Sequence, residues 1–143
     1  MVDGRSLAVT DQLSPHFTLD ELRCSCDCAV PPKILDRLRA LAQSLEVIRA
    51  EIKRPLLVIS GHRCAERNAR VGGAPASRHL MGDAVDLQAR GMTGLDLRRI
   101  AESLIAARKI TEGGLGTYVD RPLTLHYDQR GVRVRWHHEQ RAR

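Results

Sequence analysis

Ile34, Leu38, Leu41, Leu45, Ile48 and Ile52 recur at alternating steps of four and three, the spacing that lines one face of an α-helix with apolar side chains. Pro31 and Pro32 stand where such a helix would start, because a first-turn position would leave its amide unpaired anyway. Arg37, Arg39, Glu46, Arg49 and Glu51 fall mainly off the stripe. A helix this long needs an apolar surface to lie against. With aromatics at 3%, Leu, Ile, Val and Ala must supply it. Pro55 follows the helix, and Leu56-Leu57-Val58-Ile59-Ser60 is then an apolar run of strand length ending at Gly61, which predicts a strand buried on both faces. Thr93 can cap a second helix running to about Ile110, with Leu97, Ile100, Leu104 and Ala107 inward. Its Arg98, Arg99, Arg108 and Lys109 read as a solvated basic face.

Chemistry concentrates between and after these elements. In Ser77-Arg78-His79-Leu80-Met81-Gly82-Asp83-Ala84-Val85-Asp86 an imidazole and a carboxylate stand seven positions apart around a glycine, so a short bend can bring two metal ligands together. Residues 84–88 alternate like a strand, which projects Asp86 from one face. A catalytic zinc usually takes three protein ligands and leaves a fourth position to water. The third candidate is His126 in Leu123-Thr124-Leu125-His126-Tyr127-Asp128, a second alternating run that puts Asp128 on the same face. Two nitrogens and one oxygen suit Zn²⁺ better than Mg²⁺ or Ca²⁺. Zinc so held would lower the pKa of a bound water and polarise a peptide carbonyl.

The pattern S-x-H-x-x-G-x-A-x-D with a downstream H-x-D resembles the zinc D-Ala-D-Ala carboxypeptidase family of peptidoglycan peptidases, related in fold to the hedgehog signalling domain. Ser60-Gly61-His62-Arg63 and Asn68-Ala69-Arg70-Val71-Gly72-Gly73-Ala74 match two further pieces in the same order, so the likeness covers roughly residues 17–136. It implies an α+β fold, a small mainly antiparallel sheet flanked by helices, and a zinc peptidase acting on peptidoglycan peptide stems as a D,D-carboxypeptidase or endopeptidase. It implies the ligand set His79, Asp86 and His126, with Arg63 close to the metal and holding substrate. A guanidinium fork suits a terminal carboxylate or the oxygen of a polarised carbonyl. His62 stands where the family often has Tyr and reads as a cleft-lining substrate contact; Ser77 reads as a hydrogen-bonding support or a turn cap. Asp128 is either the catalytic base or the group that orients His126. Many relatives have H-x-H at the last motif or an acid three residues before the ligand, whereas here those positions are Thr124 and Leu123, so the identity of the base stays open.

The remaining features bound the setting. At 143 residues the chain fits one domain, 16–143, after a flexible lead-in, 1–15. Thr18 with Glu21 fits a capping box opening a helical turn. Gly113-Gly114-Leu115-Gly116 reads as a turn into a strand, Val132 to Trp136 as an alternating edge strand, and His137 and His138 as part of a charged tail. A formal charge of +6 suggests an anionic partner. The cell wall fits it. Nucleic acid is not expected, since no recognition helix or stacking aromatics are visible, and membrane insertion is not expected because no apolar stretch is long enough. Residues 1–11 lack the apolar core of a secretory signal, which predicts synthesis in the cytoplasm and action at the wall or periplasm by another route, such as phage lysis or delivery with a virion. A noncatalytic zinc-containing wall-binding or partner-binding module is the alternative. Cys24, Cys26, Cys28 and Cys64 allow a disulfide, reduced thiols or a structural zinc, although C-x-C is tighter than usual zinc spacing.

Overall fold

The structure, a computed structural model, describes residues 12–26 and 28–139. The long helix α2, Pro32–Ile52, begins at the expected proline and ends where Lys53 turns left-handed. Its stripe is buried at Leu38, Leu41, Leu45, Ile48 and Ile52, with Ile34 half-buried beside Gly82. The second long helix, α4 (Gly94–Ala106), opens with a capping box of Thr93 and Asp96. It stops short of Ile110 because Arg108 adopts φ 60 and Lys109 N–H returns to the Leu104 carbonyl. Ala107 is consequently exposed rather than inward. Arg98 is not solvated either: it is half-buried and donates to the Trp136 carbonyl at 3.1 Å. Two short helices, α1 (Leu19–Leu22, capped by Thr18 and Glu21) and α3 (Ala65–Arg70), flank the loops.

Strands β3 (Leu57–Ser60), β4 (Ala84–Gln88), β5 (Gly114–Tyr118), β6 (Leu125–Asp128) and β7 (Val134–His138) form a sheet of order β3-β4-β6-β5-β7. The first three pairings are antiparallel and β5–β7 is parallel. With three antiparallel pairings and one parallel, the sheet meets the mainly antiparallel expectation in part and is mixed through β7, within the expected α+β class. The chain leaves β6, turns at Gly131 (φ 92) and passes β5 to pair along its outer edge. β7 starts two residues later than the sequence suggests, and His137 and His138 belong to it rather than to a tail, though both stay exposed.

The run 56–60 is not buried on both faces. β3 pairs with β4 alone, at the sheet's edge, and leaves Leu57 52% and Ile59 44% exposed. Gly114 and Gly116 lie within β5 rather than in a turn, and Gly113 directly precedes it. Of the lead-in, residues 1–11 lie outside the described residues, while Gln12–Ser14 form a strand, β1, paired with β2 (Phe17–Thr18). Glu46 on α2 holds that hairpin, accepting from Ser14 Oγ (2.6 Å), His16 N (2.6 Å) and the His16 ring (2.8 Å). The core, drawn from α2, α4 and strands β4, β5 and β6, leaves the opposite side of the sheet's polar row for chemistry.

Candidate metal centre

One row of residues crosses all five strands. Ser60 pairs with Asp86, Asp86 with His126, His126 with Gly116, and Gly116 with Trp136. Directly paired residues share a face, so this register alone sets Asp86 and His126 side by side. His79 joins them from the short 3₁₀ turn Arg78–Met81, whose start is fixed by Ser77 Oγ accepting from His79 N–H. The left-handed Gly82 (φ 77) then turns the chain into β4.

His79, Asp86 and His126 are 3%, 1% and 6% exposed as residues, and their ligand atoms lie within 4.8 Å of one another. Asp86 Oδ1 is 3.5 Å from His79 Nε2 and 3.5 Å from His126 Nδ1. Ligands held tetrahedrally by zinc at about 2.0–2.1 Å sit about 3.3–3.4 Å apart. The observed separation fits ligands around one ion. Each imidazole also has its other nitrogen anchored: His79 Nδ1 lies 2.7 Å from the Gly61 carbonyl and His126 Nε2 2.7 Å from Asp128 Oδ2. Donation to these oxygens leaves the inward nitrogens as lone pairs aimed at the centre. Burial by itself would raise the Asp86 carboxyl, but the flanking imidazoles hold it well below the usual carboxylate range. The cluster wants positive charge, and its donor set suits a divalent cation of zinc's softness.

The triad floors a pocket of about 180 Å³ walled by Arg63, Ala74, Ala76, Ser77, Tyr118 and Trp136, with Arg78 and Arg130 at its margin. Arg63 is placed by two bonds, its N–H to the His79 carbonyl at 3.0 Å and its Nη2 to Ser77 Oγ at 3.3 Å. Ser77 thus caps the turn and supports Arg63 together. His62 is not among the walls of this pocket: it is 6% exposed and lines a neighbouring cleft with Arg23, Arg67 and Arg63 itself. Thr124 is buried and accepts from Gln88, while Leu123 is exposed. Neither reaches the pocket.

Asp128 is fully buried and accepts from Arg130 Nε and Nη2 (both 2.8 Å), from Gly114 N (2.9 Å) and from His126. Burial alone would raise its carboxyl, but Arg130 and His126 hold it far below the ordinary range. These bonds engage both carboxylate oxygens of Asp128 and fix it beside the His126 ring. Sequence reasoning missed Arg130 and Trp136. Arg130 could have been suspected from its place two residues beyond Asp128, but Trp136 reaches the site only through the parallel β5–β7 pairing, its ring 4.8 Å from that of His126. Gly116 leaves the indole room, since a Cβ there would collide with Trp136 Cε2. Gly116→Ala is therefore expected to cost about 1–3 kcal/mol, read as a lower denaturation midpoint, and to change tryptophan fluorescence as the ring leaves His126.

A small α+β domain with two histidines and one aspartate converging in a buried, arginine-lined pocket has the make-up of a metal-dependent hydrolase. The sequence model of the family described as Peptidase M15 matches residues 15–121. The chain belongs to that family, the zinc D-Ala-D-Ala carboxypeptidase-like peptidases. No curated protein matches the chain. The matched segment holds His79 and Asp86 and stops short of His126, which is joined to it here by register.

Proposed function

We propose that the chain is a zinc peptidase that hydrolyses peptide bonds in the peptide stems of peptidoglycan, at D-amino acids, as a D,D-carboxypeptidase or an endopeptidase. The observation that carries the reading is the triad of His79, Asp86 and His126 spaced as ligands of one ion, opening on a pocket that also holds Arg63. When bound there, zinc supplies a Lewis acid that acidifies a coordinated water and polarises a carbonyl. The protein's own groups do the rest. Arg63, steadied by Ser77, presents guanidinium donors to a carbonyl oxygen or terminal carboxylate. Arg130 and Asp128 keep the His126 ring in one tautomer. Tyr118 and Trp136 wall the cleft and thin the water in it, while Ala74 and Ala76 leave space for a small side chain. The charge of +6 favours the anionic wall on which such substrates occur. Among the described residues no helix is long and apolar enough to cross a membrane.

One observation favours a second reading, a wall-binding module that keeps its metal: Asp128 is tied up by Arg130, and Thr124 and Leu123 offer no acid to the pocket. A single preparation separates the two. Protein stripped with a chelator and reloaded with stoichiometric zinc is incubated with purified peptidoglycan, and D-alanine and shortened muropeptides are measured by mass spectrometry. Release that disappears on stripping and returns with zinc is the expected result. Sedimentation with the wall, without product on any wall type, would leave the binding module.

A further inference from the structure

We propose that Cys24, Cys26, Cys28 and Cys64 form a second metal site, a closed structural one that takes Zn²⁺ as a tetrathiolate. Their four Sγ atoms lie within 4.8 Å of one another. The Sγ–Sγ separations are 3.2 Å for Cys24–Cys26, 3.4 Å for Cys26–Cys64 and 3.7 Å for Cys24–Cys64. Tetrahedral zinc with bonds of about 2.3 Å spaces its sulfurs about 3.8 Å apart, whereas a disulfide needs about 2.05 Å. All four cysteines are free. The arrangement is that of four ligands around one point, too tight to enclose a multi-iron cluster. The C-x-C-x-C run succeeds despite its short spacing because the chain turns at Ser25 and Cys26.

The surroundings suit thiolates. Cys64 N–H donates to Cys24 Sγ at 3.4 Å and Arg67 N–H to Cys64 Sγ at 3.5 Å. Four thiols give up four protons on binding Zn²⁺ and leave a group of charge −2; Arg23, which donates to the Cys28 carbonyl, and Arg67 line the cleft beside it. The placement gives the site a purpose. Cys64 directly follows Arg63, and His62 N–H already bonds the Leu22 carbonyl at 2.8 Å. An ion here clamps residues 22–28 to the loop that carries Arg63, and so holds the pocket's guanidinium in position. The proposal stands independently of the peptidase reading.

Protein purified under reducing conditions is expected to hold two zinc ions per chain by elemental analysis. His79→Ala should keep the one at the cysteines, and the double variant Cys26→Ser, Cys64→Ser should keep the other. Cobalt-loaded His79→Ala should show the intense near-ultraviolet sulfur-to-cobalt bands that the double variant lacks. One zinc in the wild type, kept by His79→Ala and lost from the double variant, would uphold this site and sink the other. Undiminished metal in the double variant, no sulfur-to-cobalt bands, or two titratable thiols rather than four in unfolded, unreduced wild type would overturn the proposal. If the double variant does not fold, titrating native wild type with a mercurial decides: one zinc released supports the site, none released refutes it.

Discussion

Asp86→Ala is expected to lose one zinc ion per chain and to abolish hydrolysis. Asp86 supplies the only carboxylate oxygen of the triad, equidistant at 3.5 Å from the two ligand nitrogens. Without it the site offers two neutral imidazoles, and the cation loses both a bond and its charge partner. The affinity loss should exceed the roughly 10–100-fold that removal of a supporting partner costs. The several kcal/mol that a Lewis acid contributes correspond to about 10³-fold or more in rate. The fold should survive, because neither imidazole need stay charged once the carboxylate is gone, so circular dichroism of metal-free variant and metal-free wild type should coincide. Elemental analysis beside a D-alanine release assay checks the prediction. Full zinc at the histidines in Asp86→Ala, shown by a further loss on adding His79→Ala, would remove Asp86 from the ligand set.

Asp128→Ala should have the larger effect on stability. It strands the Arg130 guanidinium, 24% exposed, beside a buried space and leaves Gly114 N–H and His126 Nε2 without their oxygen. Breaking one side of a buried charge pair typically costs about 3–5 kcal/mol, and loss of a ligand's orienting partner about 10–100-fold in metal affinity. Excess zinc should restore much of the activity. A base could not be rescued in that way: its removal would lower kcat with zinc content unchanged. The pH dependence points in the same direction. The folded-state pKa of Asp128 is depressed, so an unfolded chain, with Asp near 3.9, takes up the proton first. The stability Asp128 contributes is complete above about pH 5 and is lost as the solution is acidified toward the folded-state value. Urea midpoints at pH 7 and pH 3 should therefore fall further for wild type than for Asp128→Ala.

Much of this site was legible in the chain. His79 and Asp86 were visible because a glycine bend and an alternating run leave few ways to place them, and His126 with Asp128 because alternation puts both on one face. The long helix was legible for the same reason, its period being written in Ile34 to Ile52. Misreadings arose where an element's neighbours decide its environment. Leu57 and Ile59 are apolar enough for a buried strand, yet they lie at a sheet edge. Glycines 114 and 116 look like part of a turn, yet they lie in strand β5, where Asp128 and Trp136 press on positions in which a Cβ would not fit. His62 shares a motif with Arg63 and borders the same neighbouring cleft, but of the two only Arg63 also lines the metal-centre pocket.

By itself, then, the sequence determined which residues can ligate and which faces must be buried, because periodicity and donor chemistry are local properties. Only the tertiary structure decided the register Ser60–Asp86–His126–Gly116–Trp136, the parallel seating of β7, and the capture of Asp128 by Arg130. Strand order and pairing depend on how distant segments bury their surfaces together, and no window of the chain contains that information. The gathering of Cys64 with Cys24, Cys26 and Cys28 is of the same kind.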